Sequence, residues 1–446
     1  MTRTSFDHRL FTRLAAFLAA GCTLPLLTGC SFIQRVFTLK GPQSTFETAG
    51  PVAKSQLDLF MVTVWVTLFI FVLVGAALAY AQIKFRARTE ADEKAEPPPQ
   101  GHGNPLIEMG LIVASVVLLV FIAVPTVQGI WYTHDVPEAE KADAIDVTAH
   151  GYQWWFKFEY NGETATSAGG EVPLVTANEL VIPAGRPVRV HLRTVDVIHS
   201  FWVPKLAGKV DMIPNRANFL WLKADQPGYF YGQCAEYCGE SHAIMKFRVI
   251  ALSAADYVRW LNRQKEPGRA ATAAALHREA GEVRAQFAQA ELPTGPRSTF
   301  AGSEAFDADP FAAWKKKQAP DAGENPALIA EGRRVFAAKQ CVNCHTVRGH
   351  EGGGVTAPDL THIGSRSTIA AGVLENSPGR LRQWLADPEY FKPGNKMYHG
   401  VGQMKGYIDL DEQGRPKRGP DGEFVRNITL NDGEIDALVA YLHSLK

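Results

Sequence analysis

The chain has 446 residues, enough for more than one domain, and its 46 basic side chains are balanced by 46 acidic ones. A formal net charge of zero removes any global case for nucleic-acid binding. The 6 cysteines are set as short pairs far apart in the chain, which argues against a disulfide framework.

The first residues read as a targeting segment. Arg3, Arg9 and Arg13 form a basic start, residues 14–27 are mostly apolar, and Leu27-Thr-Gly-Cys30 follows. That last stretch resembles a bacterial lipobox. The resemblance implies removal of residues 1–29 as a signal peptide and lipidation of Cys30, with an ordinary cleavage site and an unmodified Cys30 as the alternative. Residues 59–83 and 109–133 then carry no charge. Each run is roughly 25 residues, above the ~20 that a spanning helix needs. They predict a two-helix transmembrane hairpin over 58–133, preceded by an extracytoplasmic segment over 30–57. Lys84-Phe-Arg-Ala-Arg88 directly follows the first run and marks the connecting loop as cytoplasmic. Everything after Tyr132 is then expected on the periplasmic side of a bacterial inner membrane, with membrane lipid as a partner.

From 145 to 252 the pattern is that of short strands. Ile145, Val147 and Ala149 alternate with polar residues, as do Val188, Val190 and Leu192 with Arg189, His191 and Arg193. His191 falls on the polar side and reads as a surface residue. Turns are signalled by Pro183-Ala-Gly185, Pro214-Asn215 and Pro227-Gly228. A β-sandwich or barrel is predicted over 134–264. It is closed by a helix that Ser253 caps, with Asp256 at N3 and Tyr257, Trp260 and Leu261 buried.

Within this region Cys234-Ala-Glu-Tyr-Cys-Gly-Glu-Ser-His-Ala-Ile-Met245 sets two thiols, an imidazole and a thioether in one loop-length segment. Such ligands suit copper, and hard cations would not choose them. Cys234 and Cys238 can bridge two ions as readily as bind one. A structural zinc site is the bland alternative, and Met245 counts against it, because closed zinc tetrahedra use Cys and His. Two metals would need one more nitrogen donor. His199, in Val195-Asp-Val-Ile-His-Ser-Phe201, is the best candidate.

Residues 265–325 are rich in Ala, Glu, Gln, Arg and Pro and predict a linker, helical in part near 270–290. From 326 to 446 the pattern is helical and predicts a small all-α domain. Ile329 and Phe336 precede Cys341-Val-Asn-Cys-His345, the attachment signature of haem c. Cys341 and Cys344 would form the thioethers and His345 the proximal iron bond. Leu381, Trp384 and Leu385 mark a second helix, stopped by Asp387-Pro388. Ile435, Leu438, Val439 and Leu442 form the stripe of a last helix, with Asn431 and Glu434 at capping-box spacing. Met397 and Met404 both lie between those helices as candidates for the sixth ligand. His362 and His399 read as polar loop residues.

Together these motifs resemble subunit II of haem-copper cytochrome c oxidases, of the bacterial type with a fused C-terminal cytochrome c domain. The matching residues are Asp196-Val-Ile-His199-Ser-Phe201, Lys205-Leu-Ala-Gly-Lys-Val-Asp-Met-Ile-Pro214 and Cys234-x-Glu236-x-Cys238-x-x-x-His242-x-x-Met245. Further matches are the aromatic Gln153-Trp-Trp-Phe-Lys-Phe-Glu-Tyr160, Glu331-Gly-Arg-Arg-Val-Phe336 before the haem motif, and Thr356-Ala-Pro-Asp-Leu-Thr-His-Ile-Gly364 after it. The resemblance implies a cupredoxin-like β-sandwich with a dinuclear copper centre. By it, Cys234 and Cys238 bridge two copper ions, His199 and His242 are the terminal ligands, and Met245 and the Glu236 carbonyl are the weak axial ones. The Glu236 carboxylate is implied to face a magnesium ion shared with subunit I. Trp154 is implied to stand where electrons arrive, and Glu108 at the mouth of a proton path. Lys392-Pro-Gly-Asn-Lys-Met397 favours Met397 over Met404 as the sixth haem ligand.

The chain departs from the family pattern at several places. Phe156 stands where a Trp is usual, Leu111-Ile112 where Trp-Thr is usual, and Tyr398 where a Pro often follows the methionine. Residues 406–427 form a polar insertion. The function implied is electron passage from the chain's own haem c to the copper centre and on to subunit I, where oxygen is reduced to water and protons are pumped. Partners would be subunit I, other oxidase subunits, and an external donor such as a cytochrome c or the preceding respiratory complex. A stand-alone membrane-anchored copper and haem protein serving another reductase is the alternative. A quinol oxidase subunit would lack the copper ligands, and a copper-delivery protein would need open ligation and no haem domain.

Overall fold

The computed structural model describes residues 39–96, 101, 103–167, 169–269, 308–321, 323–350, 352–400 and 404–446. The expected signal peptide, Cys30 and the helix expected near 270–290 lie outside the described residues.

Helix α1, Pro51–Lys84, and helix α2, Pro105–His134, contain the two uncharged runs and pack side by side. Both are long and apolar enough to cross a membrane. Each begins with Pro at its first turn, where a missing N–H costs nothing, and Asn104 caps α2 by accepting from Leu106 N at 3.0 Å. Large apolar side chains such as Trp65, Phe71, Leu119 and Trp131 stand exposed along them, as lipid-facing residues would. The hairpin is tied to the next domain at both ends. Ala49 pairs with Lys205 and Asp225 through its backbone, and Trp221 Nε1 donates to Tyr132 O at 3.0 Å.

The β domain is a sandwich of two five-stranded sheets. One is ordered β3-β2-β1-β5-β8, from Gly170–Ala177, Trp155–Ser167, Ile145–Tyr152, Val188–Thr194 and Asn218–Leu222. The other is ordered β4-β10-β9-β6-β7, from Glu179–Pro183, Lys246–Leu252, Gly228–Cys234, His199–Trp202 and Val210–Met212. Phe156, Phe158, Phe201 and Phe247 fill the space between the sheets, with ring centroids as close as 4.7 Å. Phe156 is fully buried there, so its phenyl ring serves the core. Most strands alternate buried and half-exposed residues, but β4 and β10 are buried almost throughout. Their continuous apolar runs reflect cover on both faces. Helix α3, Ala254–Lys265, closes the sandwich; Ser253 Oγ accepts from Asp256 N at 3.2 Å, Tyr257 and Trp260 are buried as expected, and Leu261 is half-buried against the core.

Helix α4, Pro310–Lys317, lies inside the stretch read as linker, yet its Trp314 is buried in the sandwich core. The last domain is built on α5, Pro326–Ala338, α6, Pro378–Ala386, and α7, Asp432–Ser444. The Asn431–Glu434 capping box forms, and the predicted apolar stripe of α7 is buried. α5 crosses α7 at Gly332, where a Cβ would come 1.9 Å from Ala437 O. A two-residue hairpin, β11 Thr368–Ile369 with β12 Leu374–Glu375, faces the β domain. The polar insertion folds back on itself through isolated bridges, and Tyr398, Tyr407 and Ile408 form a small core beneath it.

Candidate metal centre and cofactor cavity

The copper motif folds as a tight return between two antiparallel strands. Cys234 ends β9 and Met245 immediately precedes β10, and Cys234 N donates to Met245 O at 2.9 Å. Neighbouring β6 begins at His199. Sheet pairing thus delivers three ligand positions from strand ends, and the intervening loop brings Glu236, Cys238 and His242.

The sulfur of Cys234 lies 3.7 Å from that of Cys238, 3.9 Å from His199 Nδ1 and 3.2 Å from Glu236 O. Cys238 Sγ lies 3.5 Å from His242 Nδ1 and 3.8 Å from Met245 Sδ. His199, Cys234, Cys238 and Met245 are buried. Every copper donor named in the sequence is therefore in one cluster, and among the described residues the oxygen that joins the sulfurs is the Glu236 carbonyl. The donor set fits soft, borderline cations.

The cysteines share a proton. The hydrogen bond between them holds the Cys234 thiol well below its ordinary range, while the same bond and burial push Cys238 far up. Two thiolates so close cannot both persist without cations, so metal binding must release the remaining proton.

One residue without an assigned role orients a ligand. Asp196 Oδ1 lies 2.8 Å from His199 Nε2, which therefore donates and leaves Nδ1 free towards the sulfurs. Burial would raise Asp196, but bonds from His199, Gln153 N and Val197 N outweigh it and hold the carboxyl below its usual range. The signal lay in an Asp three residues before a His. Gly151, on β1, permits the ring to sit there at all, since a Cβ would meet His199 Cδ2 at 2.7 Å.

The haem motif lines a cavity of about 670 Å³. Cys341, Cys344, His345, Pro358 and Met397 are on its wall, as are Phe336, Leu381, Leu438 and Leu442 from the three helices. His345 Nδ1 donates to Pro358 O at 2.8 Å, which leaves Nε2 as the free nitrogen. Burial lowers the His345 pKa and favours the neutral ring that a metal requires. The space is largely apolar, with a half-buried guanidinium, Arg366, on its wall. Haem c fits this chemistry: two thiols, one neutral imidazole, a thioether, an apolar enclosure and a cation for a haem carboxylate. Met404 is also close, with its sulfur 3.7 Å from Cys344 Sγ and 3.5 Å from Thr356 Oγ.

The cavity reaches across the domain boundary. Tyr152, Gln153, Trp154 and Trp155 of the β domain form part of its wall. Trp154 is buried, and its Nε1 donates to Cys238 O at 2.9 Å, in the copper loop. On the cytochrome side a Cβ on Gly394 would lie 3.0 Å from the Trp154 ring. Lys392 and Pro393, just before Met397, bond the copper loop directly: Lys392 Nζ donates to Ile244 O at 3.1 Å and Ser241 Oγ donates to Pro393 O at 2.6 Å.

The other named residues stand apart. Glu236 is half-buried, with its carboxylate 3.7 Å from Lys209 Nζ. Glu108 is exposed in the first turn of α2. His191 is half-buried and pairs with Asp146 at 2.6 Å. His399 pairs with Glu389 at 3.2 Å. His362 lies in a turn, as expected, and is buried there, 3.2 Å from Glu266 O. The domain interface covers it.

A membrane hairpin, a cupredoxin-like sandwich with a soft-ligand cluster, and an all-α domain with a haem attachment motif define a membrane-anchored electron-transfer protein. The family model of the cytochrome c oxidase subunit II periplasmic domain matches residues 145–252, and that of cytochrome c matches residues 329–446. Cytochrome c oxidase subunit 2 of Alkalihalophilus pseudofirmus is 30% identical over 440 residues, spanning 98% of this chain and 99% of its own. The same subunit of Bacillus sp. strain PS3 is 28% identical over 461 residues, spanning 100% and 99%. The solved periplasmic domain of subunit II of cytochrome oxidase from Bradyrhizobium japonicum is 31% identical, with a TM-score of 0.23, over 27% of this chain and 93% of its own. The chain belongs to the cytochrome c oxidase subunit 2 family. It is a copper- and haem-binding subunit of a membrane-bound haem-copper oxidase, in complex with other oxidase subunits.

Proposed function

We propose that electrons arrive at a haem c held by Cys341, Cys344, His345 and Met397, and leave for subunit I from a dinuclear copper centre. The copper ligands would be Cys234 and Cys238 as bridges, His199 and His242 as terminal donors, and Met245 and the Glu236 carbonyl as weak ones. When bound, the two groups supply reversible one-electron chemistry, and oxygen is reduced to water in subunit I with proton pumping. The observation that carries this reading is the reach of the haem cavity to Trp154, whose indole also bonds the carbonyl of Cys238. Trp154 would thus be the residue through which electrons reach the copper domain.

The chain's own residues do three things for that chemistry. The ends of β6 and β9 and the residue just before β10 hold His199, Cys234 and Met245, so these donors move little when charge changes. Asp196 keeps His199 in the tautomer that presents Nδ1. Burial of the Cys234 and Cys238 thiols excludes water from them.

The remaining assignments follow the same reading. The Glu236 carboxylate would take a magnesium ion shared with subunit I, and Glu108 would open a proton path into it. Basic residues 84–88 would face the cytoplasm and the copper and haem domains the periplasm, with domains at 58–133, 134–264 and 326–446. Cys30 would carry lipid. A cytochrome c or the preceding respiratory complex would be the external donor.

Electron paramagnetic resonance of the copper-loaded chain tests the centre. A mixed-valence pair shares one unpaired electron between two nuclei and gives a hyperfine pattern unlike that of one copper. A mononuclear signal, or zinc alone, would overturn the assignment. For the sixth haem ligand, Met397→Leu is expected to abolish the methionine-ligated absorption spectrum; if the spectrum persists, Met404 holds the iron.

A further inference from the structure

The interface between the two redox domains contains a buried acid that neither cofactor accounts for. Glu179 opens β4, just after Asn178, whose backbone is left-handed at φ 60°. The Glu179 residue is only 5% exposed. Four donors converge on its carboxylate. Ser367 N at 2.7 Å, Ser367 Oγ at 2.5 Å and Thr368 N at 3.2 Å reach Oε1, and Trp314 Nε1 at 3.0 Å reaches Oε2. Among the described residues no ion pair to it forms, although the Arg366 guanidinium stands near enough to favour its ionised form. A buried carboxylate is tolerated only when hydrogen bonds replace its water, and these do so from two separate pieces of chain. Ser367 and Thr368 belong to the haem-bearing domain, and Trp314 to helix α4 within the stretch read as linker.

The surrounding contacts point the same way. Tyr229 OH meets Ser367 Oγ at 2.8 Å, and Lys246 N, next to Met245, donates to Ala371 O at 3.0 Å. Ala370 and Ala371 hold φ of 53° and 57°, a region that alanine avoids unless its surroundings impose it. Both ends of the linker are pinned as well. Gly268 N donates to Arg348 O at 2.7 Å, and Gln318 Nε2 donates to Ser365 O at 2.9 Å.

We propose that Glu179 is a positioning residue, a latch whose carboxylate fixes the haem-bearing domain on the copper domain through Ser367, Thr368 and Trp314. The latch stands on side chains of this chain alone; its consequence for electron transfer rests on the functional reading above. A domain held only by a flexible tether meets its partner at an effective concentration that falls as the tether lengthens. A latched domain is indifferent to tether length.

The test uses the full chain loaded with haem and copper. In Glu179→Gln the side chain keeps its shape, but its NH₂ group replaces one acceptor among donors. Hydrogen exchange at the amides of Ser367 and Thr368 is expected to speed up by about tenfold to a hundredfold, the range for a lost charge-assisted bond. Amides in β5 and in α7 should stay protected. Haem-to-copper electron equilibration after flash reduction should slow, while the haem absorption and copper resonance spectra stay unchanged. Glu179→Asp should recover part of both effects. Lengthening the linker with a Gly-Ser insert within residues 270–307 should change neither. The latch is overturned if Glu179→Gln leaves the Ser367 and Thr368 amides protected, or if the insert slows equilibration as much as the substitution does. Absence of a two-copper signal in the unaltered chain would instead overturn the functional reading, and amide protection would then decide the latch by itself.

Discussion

Asp196 shows how much of a metal site is set by residues that never touch the metal. Its bond to His199 Nε2 selects the tautomer that offers Nδ1, and it also receives Gln153 N, so it ties the copper ligand to the aromatic strand turn. Asp196→Asn would keep the size and lose the charge. We expect copper affinity to fall by about tenfold to a hundredfold, the usual cost of a lost carboxylate–histidine contact. Competition with a copper chelator measures it, and an unchanged far-ultraviolet circular dichroism spectrum would separate it from unfolding. The six copper donors could be read from the chain because five of them lie within twelve consecutive positions of the Cys234–Met245 loop. His199 needed the further idea that a strand end would reach that loop. Asp196 was in plain view three residues earlier, but its role depends on which ring nitrogen faces the sulfurs, and only coordinates decide that.

At the level of elements, close approach matters more than propensity. α5 and α7 touch at Gly332, where any side chain would strike the Ala437 carbonyl. Gly332→Val should force the helices apart and destabilise the haem domain by about 2 kcal/mol, in the range of overpacked cores. Thermal melting followed at the haem band reads this, and the copper spectrum serves as an internal control. Gly151 plays the same part beside His199, so Gly151→Ala should disturb copper binding without touching a ligand; a copper titration equal to that of the unaltered chain would refute this. The helix caps at Ser253 and Asn431 and the buried stripe of α7 were readable from local spacing, since a cap and a 3.6-residue period are properties of a few consecutive residues. The crossing at Gly332 was not, because its partner is about a hundred positions away and its signature is only the absence of a side chain.

Across the whole molecule, burial of histidines makes stability depend on pH. His350, His362 and His443 are each pushed down to about 4 by burial. An unfolded histidine titrates near 6.5. Between about 4 and 6.5 the unfolded chain therefore binds protons that the folded chain refuses, and stability falls as pH drops through that window. Above it these groups have no effect. Each should cost about 1 kcal/mol over the first pH unit below 6.5. Glu179, raised by burial, acts in the opposite direction. Melting temperatures of the full chain between pH 7 and 5 should thus decline, and His362→Gln should flatten the slope; an identical slope would show that His362 is not the group responsible.

The amino-acid order by itself determined the parts: two apolar spans, a strand-rich region with a soft-metal loop, a haem attachment motif between helices, and the family to which they point. Each of these is written in short-range spacing, in period, in turn residues or in ligands a few positions apart. Only the tertiary structure decided how the parts meet. The haem cavity borrows Trp154 from the other domain, the presumed linker ends in a helix whose Trp314 is buried in the sandwich, and Glu179 finds its donors almost two hundred positions away. Such contacts depend on shape and on hydrogen-bond satisfaction between distant surfaces, and no local pattern in one chain encodes which surfaces those will be.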